Sequence, residues 1–156
     1  MEDHAKPLLE LAEAFIKNEV ALETYYRLCA DRIPEFKDRW LLLSEQERGH
    51  VAVYRKITES IKTDPSKWVM GKYNAVVVNM MSEETIELIG EIRKGGVAKR
   101  HMVTFAANME LSMIERDIGN SFTTPLPELQ ALLSKVAEET AAHREILIGI
   151  EAELKD

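Results

Sequence analysis

One cysteine, Cys29, is all the thiol chemistry this chain has in its 156 residues. A single thiol excludes an internal disulfide, and it excludes an iron or zinc site built from four cysteines of this chain. Excess positive charge is also missing. The formal net charge is −7, with no polybasic stretch, which speaks against nucleic acid and against a membrane surface as partners. No apolar run approaches the roughly 20 residues that cross a bilayer. The start, Met1-Glu2-Asp3-His4, is acidic and leads into an amphipathic pattern without a visible signal peptide. A cytoplasmic address is the expectation. The chain is 46% hydrophobic and 30% charged, which suits one globular domain over residues 1–156 with one sizeable core.

What is present is helical periodicity. Trp40, Leu43, Glu47, His50, Tyr54, Ile57 and Ile61 recur at steps of three and four and share one helix face. Pro34 separates that helix, about 35–61, from a first one, about 7–33, which Pro7 opens. The first stripe reads Leu8, Ala12, Phe15, Glu19, Leu22, Tyr26, Cys29, Ile33. A third helix, about 98–120, carries Val103, Ala106, Glu110, Met113 and Asp117. A fourth, about 127–154, carries Leu129, Leu133, Val136, Thr140, His143, Leu147, Ile150 and Leu154. The segment 62–96 reads as a long crossover. Ser82-Glu83-Glu84 looks like the N-cap of a short helix that Gly95-Gly96 stops, and Val76–Val78 reads as a loop or helical lead-in. Short links between helices 1 and 2 and between 3 and 4, with one long crossover, predict an all-α four-helix bundle of ferritin-like connectivity.

Each stripe is interrupted near its middle by a metal-binding type of side chain: Glu19, Glu47 with His50, Glu110, and His143. An unpaired charge in a core is costly. A Glu-x-x-His pair places an oxygen and a nitrogen one helical turn apart, where both can reach one ion. Oxygen ligands with two imidazoles suit iron or manganese, and also zinc. His4 and His101 lie off the stripes and read as solvated; Met80, Met81, Met102 and Met109 read as packing.

Taken together, these motifs resemble those of the ferritin-like, rubrerythrin-type di-iron carboxylate proteins. That family carries a Glu on helices 1 and 3 and Glu-x-x-His on helices 2 and 4. Glu19 with Tyr26 seven residues on, Glu47-Arg48-Gly49-His50, Glu110 and His143 match in order, over nearly the whole chain. The resemblance implies a dinuclear iron centre reacting with peroxide or dioxygen, as a peroxidase or ferroxidase. It also implies a homodimer. Tyr26 would hydrogen-bond to the centre.

Three departures stand out. Thr140 occupies the place of the helix 4 bridging Glu, so three carboxylates face the four charges of two divalent ions, leaving one positive charge. Glu139, four residues before His143, is the nearest replacement, and Asp117 is a further carboxylate on helix 3. Met113 stands where many rubrerythrins carry an additional Glu. No rubredoxin domain is present, so electrons would come from a separate protein. Three readings stay open at this point: a redox enzyme, a protein that binds one ion or two without turnover, and a metal-free interaction module.

Overall fold

The computed structural model describes residues 2–115 and 120–155, and it is all-α. Among the described residues there are five α-helices: α1 (Glu2–Arg32), α2 (Lys37–Thr63), α3 (Ala75–Lys94), α4 (Lys99–Glu115) and α5 (Pro127–Glu153). None of them is long and apolar enough to cross a membrane. Pro34 breaks the chain into a 3₁₀ turn, Pro34–Phe36, after which α2 packs back along α1. α3 lies on α1, α4 pairs with α5, and α2 also contacts α5. Arg39 near the start of α2 meets Glu153 at the end of α5, so these two helices are antiparallel.

α1 begins five residues before Pro7. The proline removes one backbone donor near an exposed helix end, where the loss is small. His4 compensates and is not simply solvated: its Nε2 lies 3.1 Å from the Pro65 carbonyl oxygen and 3.0 Å from that of Trp68. The added turn is thereby tied to the segment after α2.

The crossover helix is longer than the sequence suggests. α3 starts at Ala75, with Asn74 Oδ1 accepting from the Val76 amide at 3.0 Å as the N-cap. Val76–Val78 are therefore helical, and Ser82 is not a cap. It is buried on a stripe that includes Val78, Met81, Thr85, Leu88 and Ile92, and its hydroxyl donates to the Asn79 carbonyl. The helix stops where predicted. Gly95 and Gly96 have φ of 89° and 90°, a region that favours glycine.

The helix expected over about 98–120 is α4, described from Lys99 to Glu115; residues 116–119 lie outside the described residues. Phe122–Thr123 is extended as strand β2. β2 pairs antiparallel with β1 (Val69–Met70). Gly71 continues the pairing, its amide donating to the Ser121 carbonyl at 2.8 Å. A Cβ on Gly71 would sit 2.4 Å from the Asn120 carbonyl oxygen, so this close approach requires glycine.

One end of the helix assembly gathers the start of α1, the end of α2 and the start of α5. There Trp68 and Phe122 bury their rings edge to face, and Phe122 also meets Phe15. The opposite end is closed by charge: Arg39 with Glu153, Lys99 with Glu35 at 3.3 Å, and Arg100 donating to the Leu154 carbonyl. Between the ends, the stripes bury Leu22, Leu43, Ile57, Val103, Ala106, Leu147 and Ile150 completely.

Candidate metal centre

The helix phases that bury these apolar residues also bury five carboxyl and imidazole side chains. Glu19, Glu47, His50, Glu110 and His143 are each at most 2% exposed. They come from α1, α2, α4 and α5 and form two groups. Glu19, Glu47 and His50 make one; Glu47, Glu110 and His143 make the other. Within each group the ligand-type atoms lie within 4.8 Å of one another. Glu47 belongs to both. Its Oε2 is 3.4 Å from His50 Nδ1, and its Oε1 is 2.8 Å from His143 Nδ1. His50 Nδ1 is also 3.7 Å from Glu19 Oε2, and His143 Nδ1 is 3.4 Å from Glu110 Oε1. The imidazoles lie 5.6 Å apart and 20° from parallel.

These contacts are close without being well-aligned hydrogen bonds. Glu19 Oε2, Glu47 Oε2, Glu110 Oε2, both nitrogens of His50 and His143 Nδ1 are buried without a hydrogen-bond partner. Buried polar atoms are normally satisfied, because each unsatisfied one costs about 1–3 kcal/mol. Oxygens and nitrogens gathered this closely into two groups, without hydrogen bonds to satisfy them, fit cations. Ligand atoms about 2.1 Å from an ion are at most about 4.2 Å apart, so little movement closes either group. These groups can hold a metal ion.

Without an ion, protons hold the charges together. Burial and the neighbouring Glu47 push Glu19 up to about 8. Burial also resists ionisation of Glu47, but contacts with Glu19, His143 and His50 outweigh it and hold this acid below its ordinary value. For His50, burial is outweighed by Glu19 and Glu47, which raise it to about 11. His143 rises to about 10 against its own burial, held by Glu110 and Glu47. Tyr26 donates its hydroxyl to Glu110 Oε1 at 2.5 Å. Burial, with the charge of Glu110, keeps that phenol protonated.

The remaining sequence candidates fall into place around this cluster. Thr140 is half-buried and donates its hydroxyl to the Val136 carbonyl of its own helix at 2.8 Å. Glu139 does not enter either group; its Oε1 lies 3.5 Å from His50 Nε2, the ring nitrogen facing away from Glu47. Asp117 lies outside the described residues. Cys29 is a buried core residue whose thiol burial pushes up. Met102 and Met109 pack in the core, while His101 is exposed.

Sequence reasoning missed Gln46. Its Oε1 lies 2.6 Å from His143 Nε2 and accepts a hydrogen bond from it. A signal was available: Gln46 and Glu139 each stand four residues before a site histidine, on antiparallel helices. Each reaches across to the other helix's imidazole. The result is a local two-fold arrangement in which both rings turn Nδ1 inward and Nε2 outward. Partners of this kind fix the tautomer and orientation of a metal-binding histidine.

Fold and site define a class: a helical protein with a buried carboxylate–imidazole cluster able to hold metal. No protein-family model, curated protein or solved structure matches the chain.

Proposed function

We infer that this is a ferritin-like protein that binds two metal ions side by side, with iron the favoured metal, and that the loaded centre reacts with peroxide or dioxygen. The observation that carries this reading is Glu47. One oxygen turned toward each imidazole is the arrangement of a carboxylate shared by two cations. Glu19 and His50 complete one half, and Glu110 and His143 the other. The order of these residues along the chain supports the rubrerythrin-type resemblance.

Each residue has a definite task. Glu47 sets the spacing of the two halves. Gln46 and Glu139 aim the imidazoles. Tyr26 fixes Glu110 and keeps a proton beside it. Stacked Phe15 and Tyr54, with ring centres 4.7 Å apart, and Trp40 behind Tyr26 exclude bulk water. Iron held by these residues would supply the electrons that reduce an oxygen species; manganese and zinc fit the same donors. Reducing equivalents come from a separate donor protein, and two copies of the chain pair as a homodimer.

Thr140 favours a second reading, ion binding without turnover, because its hydroxyl is engaged with its own helix and three carboxylates face two ions. Metal analysis after reconstitution with Fe²⁺, followed by a peroxide-consumption assay with a chemical reductant, separates the two. Two irons per chain with turnover support the first reading, and two irons without turnover support the second. A folded protein that retains no metal refutes both.

A further inference from the structure

We propose that the two halves of the centre are unequal, and that Glu139 makes the His50 half the tighter site and the first to fill. The inference rests on the two-ion reading above and adds an order to it.

The inner ligands are matched: each half has one private carboxylate, one oxygen of Glu47 and one imidazole Nδ1. The difference lies behind the imidazoles. His143 Nε2 faces the neutral carboxamide of Gln46 at 2.6 Å. His50 Nε2 faces the carboxylate of Glu139 at 3.5 Å, and this buried nitrogen has no hydrogen-bond partner. Glu139 keeps a quarter of its side chain exposed, so it has freedom to close that gap. A carboxylate behind a ligating imidazole raises the basicity of the metal-facing nitrogen, and a charged hydrogen bond is roughly twice as strong as a neutral one. A carboxamide gives orientation without charge. The private carboxylates differ in the same sense. Glu110 already shares Oε1 with the Tyr26 hydroxyl at 2.5 Å, which draws charge away from an ion in the His143 half. Glu139 is thus a positioning and tuning residue that acts through His50.

The test is a calorimetric titration of the metal-free full chain with Mn²⁺, paralleled by anaerobic Co²⁺ uptake followed by visible absorbance. The wild type should fill in two steps whose constants differ by about 10-fold or more. Glu139→Gln should weaken the first step by about 10-fold and leave the second unchanged. Gln46→Glu should tighten the second step and leave the first unchanged. A general structural effect would move both steps together. Equal sites in the wild type overturn the proposal, as does a Glu139→Gln variant that folds and shifts both steps or neither. If the wild type binds neither ion, the two-ion reading itself falls; this outcome is distinct from equal binding.

Discussion

Replacing Glu47 by Gln should remove both ions, whereas replacing Glu19 or Glu110 by Gln should remove one. The difference follows from geometry, since Glu47 alone belongs to both groups. A ligand that binds only the folded state stabilises it by about 2.7 kcal/mol at 100 times its dissociation constant. Two ions at that excess add roughly 5 kcal/mol. For a domain of this size each kcal/mol moves the melting temperature by about 2–4 °C, so loading should raise it by roughly 10–20 °C. Glu47→Gln should abolish that rise; each single-half variant should retain about half of it. The quantity to compare is the metal-dependent increment within each variant. Breaking a buried charge pair costs about 3–5 kcal/mol by itself, so Glu47→Gln also lowers the metal-free melting point. Scanning calorimetry with and without Mn²⁺, combined with elemental analysis, gives both increment and stoichiometry. A Glu47→Gln protein that still holds one ion as tightly as the wild type would refute the shared-carboxylate argument.

Three further outcomes are expected. Tyr26→Phe leaves Glu110 Oε1 without its buried donor and should cost about 1.5–3 kcal/mol in urea unfolding of the metal-free protein. Thr140→Glu supplies a fourth carboxylate, balancing two divalent ions, and should tighten the weaker calorimetric step by about 10-fold. The pH dependences of the metal-free and loaded forms should oppose each other. Glu19, His50 and His143 all have folded values above their free ones, so their stabilisation is present below the free values and is lost as pH rises toward about 8, 11 and 10. The metal-free protein should therefore lose stability from pH 7 to 9. Ions displace these same protons, so apparent affinity should rise over that window, with binding heats that depend on the buffer's ionisation enthalpy.

The four long stripes were legible because each holds its period for many turns, and the polar interruptions were legible because they sit on the buried faces. Glu19, Glu47, His50, Glu110 and His143 meet for the same reason that Leu22, Leu43, Val103 and Leu147 do. Other features were hidden by physics that periodicity does not encode. The start of α3 is set by one Asn74 side chain, while Val76–Val78 carry the β-branching of a strand. The β1–β2 pair is too short to leave a pattern, and it depends on Gly71 meeting a backbone more than forty residues away. Gln46 and Glu139 act across helices, so their roles follow from helix rotation and neighbouring partners. Thr140 looked like a vacant bridging position; its hydroxyl instead completes a bond within α5.

The contrast between the two ends of the helix assembly has a consequence of its own. Exposed ion pairs are each worth about 0–1 kcal/mol and weaken as salt is added. Buried rings and strand pairing have little such sensitivity. Raising ionic strength should therefore loosen the molecule from one side only. Amides near Arg39, Lys99 and Glu153 should exchange hydrogen faster in high salt, while those near Trp68 and Phe122 keep their protection. Fraying then starts at the charged latch and reaches the metal-binding middle before it touches the aromatic seal.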